Sequence, residues 1–149
     1  MGLIYTDLEI RNGGQAWAAR QGLFKEEEVK KVRVKALVDS GAYQMSIPKH
    51  IGNQLDLQII EKREVEYANG ELEIVHVAGP VEILFMNRRT VANIFILGNE
   101  VLLGSIPMED MDVVINPKTQ TLKVNPENPN YPKMKMKIFH LEKIDYFQG

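Results

Sequence analysis

Along most of this chain, apolar side chains alternate with polar ones or gather in short runs closed by turn residues, the pattern of strands in a half-buried sheet. Ile4, Thr6, Leu8 and Ile10 fall on one face of a strand predicted from Leu3 to Ile10, with Tyr5, Asp7 and Glu9 on the other; Asn12-Gly13-Gly14 ends it. A second strand alternates Val32, Val34, Ala36 and Val38 with Arg33, Lys35 and Leu37, and delivers the chain to Asp39-Ser40-Gly41. Two β-rich arms between Val65 and Val77 flank Ala68-Asn69-Gly70, and Asn-Gly between such arms signals a hairpin. Further strands are expected over Val81 to Met86, Thr90 to Ile96, Val101 to Leu103, Val113 to Ile115 and Thr121 to Val124, with a turn at Asn116-Pro117-Lys118-Thr119. One short helix is predicted, with Ser105 as its cap, Pro107 in its first turn and Met108 to Met111 continuing it. Gln15 to Lys31 mixes a helix-favouring Ala-Trp-Ala-Ala-Arg run with Gly22 and a charged patch, and reads as an irregular excursion.

The expected class is therefore all-β, and 149 residues are enough for one core. Residues 1–125 form the expected domain. The stretch from Asn125 to Pro132, rich in proline and asparagine, opens an extended connector and tail over residues 126–149. Lys133 to Ile138 then alternates charged and apolar side chains, as an edge or intersubunit strand would, or belongs to the tail.

Composition narrows the function. The formal net charge of -2 gives no overall attraction to nucleic acid or an anionic membrane, so neither is expected as a partner. The absence of cysteine removes disulfides, thiolate nucleophiles and cysteine-ligated metals. The N-terminus does not read as a secretory signal, and the apolar run from Val91 to Leu97 is too short for a membrane span, which makes the cytoplasm the expected location.

The chemistry concentrates in Val38-Asp39-Ser40-Gly41-Ala42. A buried apolar strand holds a carboxylate to the tolerance catalysis requires. Gly41 allows close approach of backbone and substrate, Ala42 keeps the neighbouring wall open, and the Ser40 hydroxyl can hold adjoining loops together. Asp-Ser-Gly is also ordinary turn chemistry, so its context carries the weight. Val38-Asp39-Ser40-Gly41-Ala42 resembles the hydrophobic-Asp-Thr/Ser-Gly-Ala signature of retropepsin-like aspartic proteases, with serine where threonine is commoner. About 60 residues on, Val101-Leu102-Leu103-Gly104 resembles that family's second marker, ahead of a short helix. The Asn69-Gly70 hairpin sits where the family carries its flap.

The resemblance implies a closed acid-protease barrel and an aspartic endopeptidase that needs no cofactor. One chain supplies one Asp39, so two copies would meet at a two-fold axis, and carboxylates that close would share one proton. One would activate a water for attack on the peptide carbonyl while its protonated partner polarises that carbonyl. By the same resemblance Ser40 would brace the paired loops and Gly41 would present its carbonyl to an extended peptide or protein substrate. Ala42 would border the substrate, and Ala68, Asn69 and Gly70 would close over it. The alternatives are a catalytically silent peptide-binding or dimerisation module on the same fold, and an unrelated β-barrel in which Asp39 marks a turn.

Other residues read as structural. Glu109, Asp110 and Asp112 are expected to cap a helix or face solvent, and no metal site is assigned. His50, His76 and His140 are scattered, Asn87-Arg88-Arg89 reads as a basic hairpin loop, and Trp17 as a packing anchor or interface residue.

Overall fold

A computed structural model of the protein describes residues 2–136. Its strands are β1 (Tyr5–Asn12), β2 (Lys31–Val38), β3 (Ser46–Ile47), β4 (Gln58–Glu66), β5 (Leu72–Phe85), β6 (Arg88–Ile96), β7 (Val101–Leu103), β8 (Val113–Asn116) and β9 (Thr121–Val124). Three short α-helices join them, α1 (Gly13–Arg20), α2 (Lys49–Gln54) and α3 (Ser105–Met111), with a single 3-10 turn at Glu26–Glu28. The protein is thus mostly β, with two more helices than the single one expected. Among the described residues no helix is long and apolar enough to cross a membrane.

Six strands close into a barrel in the order β1, β2, β7, β3, β6, β5 and back to β1. Closure comes from the length of β5, whose second half pairs with β1 through Val81 to Leu84 while its first half carries β4. The two halves meet at an irregularity between Ala78 and Val81, so β4 and the start of β5 leave the barrel as a two-stranded arm. The expected alternation of β1 and β2 holds: Leu8, Ile10, Ala36 and Val38 point into a core shared with Met45, Ile47, Ile83, Ile94, Leu103 and Met111. Each large apolar side chain, fully buried, contributes about 1.5–3 kcal/mol. β8 and β9 form a separate hairpin that packs Val113 and Leu122 against this core.

Several local expectations are corrected. The Ala-Trp-Ala-Ala run forms α1 because Asn12 accepts a hydrogen bond from Gln15 N and caps it, and Gly22, in the left-handed region, follows its end. Trp17 is 59% exposed and anchors no core. Ser105 is not a cap; Gly104 holds that position without a side-chain bond. Arg88 lies in no loop: its side chain is fully buried and donates to the carbonyl of Asn128, while Arg89 pairs with Glu82. Asp112 does cap a helix, at the C-terminal end of α3, but it does not face solvent freely, because it accepts bonds from Asn125 Nδ2, Asn128 Nδ2 and Lys133 N at 3.0, 2.8 and 3.0 Å. Those bonds, led by that from Asn125, hold its carboxyl below the ordinary range and pin the segment after β9 to the end of α3. His50 and His76 are exposed, whereas His140 and the last two residues of the Lys133 to Ile138 alternation lie outside the described residues.

Among the described residues the one buried acidic residue is Glu82. Arg20 reaches both of its oxygens at 2.9 and 2.8 Å and Arg89 reaches it at 3.0 Å, fastening α1 to the outside of the barrel. Burial pushes this carboxyl upward, but hydrogen bonds from Arg20 and Arg89 and their charges outweigh it, and it stays below the ordinary glutamate range.

Candidate active site

Asp39 stands where β2 ends, and the parallel pairing of β2 with β7 decides its surroundings. Val38 is in register with Leu103, so the Asp39 loop lies beside Gly104, and Asp39 N donates to Leu103 O at 3.0 Å. The two motifs that are distant in sequence are therefore neighbours in one sheet. Gly41 N donates to Asp39 Oδ1 at 3.0 Å and Ala42 N to Asp39 O at 3.1 Å, which fixes both the carboxylate and the turn. The loop also caps α3: Ser105 N donates to Ala42 O at 2.8 Å and Ile106 N to Tyr43 O at 3.0 Å. Backbone carbonyls thus perform the capping expected of the Ser105 hydroxyl.

Gly104 makes this closeness possible. A Cβ there would lie 2.3 Å from Gln44 O and 2.9 Å from Ala42 O, so no other residue fits without displacing the loop. Asp39 and Ala42 are half-buried, and Ser40 and Gly41 are exposed. Among the described residues the Ser40 side chain makes no hydrogen bond, and Gly41 N is the one donor to the Asp39 carboxylate, leaving Oδ2 without one.

Ala68, Asn69 and Gly70 form the tip of the β4–β5 arm, all exposed. Tyr67 N bonds to Glu71 O at 2.8 Å and Gly70 N to Tyr67 O at 2.9 Å, a three-residue loop in which Gly70 takes a φ of 85°. Asn69 Oδ1 accepts Glu71 N at 2.9 Å, so the Asn-Gly pair builds the turn through its side chain and its glycine. No hydrogen bond among the described residues joins this tip to the Asp39 loop.

The arm has two unlike faces. Register places Glu61, Arg63 and Val65 of β4 opposite Val77, Val75 and Glu73 of β5 on one face. The other face carries Lys62, Glu64 and Glu66 opposite His76, Ile74 and Leu72. The first face borders a cavity of about 340 Å³ that also touches Gln44 and Ile106, the chain just beyond Asp39 and Gly104. Charged and hydroxyl groups join on it: Arg63 Nε donates to Glu61 at 2.9 Å, and the Tyr67 hydroxyl donates to Glu73. The bond to Glu73, ahead of burial and nearby negative charge, raises the Tyr67 phenol above its ordinary value. Leu72 and Ile74 on the other face are each 60% exposed.

Of the residues expected at the site, Asp39, Ser40, Gly41 and Ala42 are together in one loop and Ala68, Asn69 and Gly70 together at one tip. Tyr67, Glu73, Glu61, Arg63 and Gln44 are not foreseen by the sequence pattern. Tyr67 next to the Asn-Gly tip is the one available signal; the others need the register and the barrel closure. Among the described residues, Asp39 is half-buried and does not line the cavity under the arm.

No family model and no curated protein matches this sequence. Among solved structures, the retroviral protease-like domain of Ddi1 from Leishmania major superposes with a TM-score of 0.52 at 13% identity, covering 85% of this chain and 90% of that one. The fold is that of a retroviral protease-like domain. At 13% identity the likeness concerns the fold alone.

Proposed function

We propose that the protein is an aspartic endopeptidase whose active site forms when two copies bring their Asp39 loops together. The observation that carries this reading is the locked Asp39 loop. One carboxylate oxygen is held by Gly41 N–H and the backbone is tied to Leu103, while Gly104 allows the second motif to close against Ala42 and Gln44. Such restraint at a half-exposed carboxylate is what a group needs to aim its free oxygen at a water and a peptide carbonyl. Ser40 is exposed with no side-chain bond among the described residues, which suits a hydroxyl that braces a second loop. A lone aspartate on an open surface cannot provide both a base and an acid, and two-fold symmetry supplies the missing partner.

In this mechanism the ionised member of the pair takes a proton from water, the water oxygen attacks the carbonyl carbon, and the protonated member hydrogen-bonds the carbonyl oxygen. Collapse of the tetrahedral intermediate returns a proton to the leaving amine. The β4–β5 arm would cover an extended peptide, which strand-like main-chain bonds hold while alternate side chains enter pockets.

The test is cleavage of a random peptide library by wild type and Asp39→Asn between about pH 3 and 7, with sedimentation of both. Wild type should cleave, and a variant that sediments identically should not. Equal cleavage by Asp39→Asn, or none by a dimeric wild type, rejects the assignment.

A further inference from the structure

The cavity under the face of the β4–β5 arm that carries Glu61 and Arg63 has a composition that selects among peptide side chains. Its polar lining is Gln44, Glu61, Arg63, Thr90, Asn93 and Asp110, and its apolar wall includes Val77, Phe95 and Ile106. Two carboxylates against one guanidinium leave the lining with an excess negative charge. Arg63 Nε holds Glu61 and the Thr90 hydroxyl holds Asp110 Oδ2. Acceptor capacity is left over. The side-chain oxygen of Gln44 is buried with no partner, and each carboxylate keeps one oxygen beyond these bonds. A buried acceptor without a donor costs about 1–3 kcal/mol, so the site gains from any donor that reaches it.

We infer that this cavity is a specificity pocket for a cationic side chain, lysine or arginine, of an extended peptide lying under the arm. The inference rests on the reading of the arm as the cover of a peptide cleft. The apolar wall takes the methylene stem and the polar end takes the charged head, the division such amphipathic side chains favour. The volume of about 340 Å³ accommodates one long side chain. An acidic side chain would meet two carboxylates against the single Arg63 guanidinium, and an aliphatic one would leave Gln44 unpartnered and bury the oxygens of Glu61 and Asp110 against carbon. The opposite face of the arm, with Leu72 and Ile74 beside Glu66 and Glu64, does not line this cavity, so the selection made here belongs to the face that looks toward the chain beyond Asp39.

The experiment is a chemical-shift titration of the isotope-labelled protein with Nα-acetyl-lysine N-methylamide and, separately, with the norleucine analogue. Cleavage plays no part in the readout. The lysine compound should move the amides of Gln44, Asn93 and Asp110 at concentrations about fivefold lower than norleucine, as expected for a partly exposed ion pair. Glu61→Gln combined with Asp110→Asn should bring that ratio close to one, as should about 1 M salt. Equal or tighter response to norleucine, or no response to either at these amides, overturns the pocket. The two readings fail separately. A protein that keeps the lysine preference but cleaves no peptide loses only the protease assignment. One that cleaves the library yet shows no lysine preference in the titration loses only the pocket.

Discussion

The Asp39 loop and the β4–β5 arm carry the two halves of the candidate site but are held in opposite ways. Backbone bonds to Leu103, Ser105 and Ile106 surround the loop, and a glycine against which no Cβ fits closes it. The arm rests on its own ladder and on exposed side-chain pairs such as Glu61–Arg63, with β4 paired, among the described residues, to β5 alone. A charge pair therefore means different things in the barrel and on the arm. Around Glu82, 2% exposed, Arg20 ties α1 to the barrel while Arg89 pairs from the neighbouring strand β6; on the arm, Arg63 and Glu61 are 61% and 45% exposed and contribute little to stability. In the proposed function, the difference separates what stays fixed from what would yield to an entering peptide.

The largest difference between loop and arm lies at Gly104. Gly104→Ala should cost more than about 3 kcal/mol, because its methyl would overlap the Gln44 carbonyl and the loop cannot move without losing its bonds to α3. An unchanged urea midpoint would show the loop to be soft. Next, Glu82→Gln should cost about 2 kcal/mol near neutral pH, from hydrogen bonds to a charged group. The folded state holds this carboxyl below its unfolded value, so its contribution is present above the ordinary glutamate range and fades as pH falls through the lower folded value. Thermal melts of wild type and Glu82→Gln should accordingly converge on acidification; a constant gap would contradict the ion triad.

On the arm the effects shrink. Gly70→Ala places a side chain at a φ of 85° in open space, a strain of about 1 kcal/mol, and should speed amide exchange in β4 and the start of β5 while β2 and β7 keep their protection. Slower exchange there, or loss of protection in β7, would mean that arm and loop open as one unit. Smallest of all, Arg63→Gln should shift stability by less than about 0.5 kcal/mol, the scale of an exposed pair, read from the urea midpoint. A larger loss would give the arm a structural weight its exposure denies.

Legibility follows the range of the interactions. The alternation in β1 and β2, the Asn-Gly tip and the extent of β7 all appear in the sequence, since each depends on side chains a few residues apart. The Ser46–Ile47 strand does not, because two residues carry no period, and it exists through Met45 and Ile47 packing in the core between β6 and β7. Arg88 misleads because a buried arginine looks, in sequence, like an exposed one until Asn128 and Asp112 fold over it. Ser105 misleads as a cap because nothing local says that the carbonyls of Ala42 and Tyr43 already occupy the end of α3.

The motif at Asp39, the marker at Gly104 and the hairpin between them are all readable from residue types in order, because turn chemistry and strand periodicity are local. Their meeting is not. The parallel register of β2 and β7 sets Asp39 against Gly104, and the closure of β5 onto β1 leaves a polar face of the arm over Gln44. Both depend on contacts between segments tens of residues apart, which only a packed barrel selects.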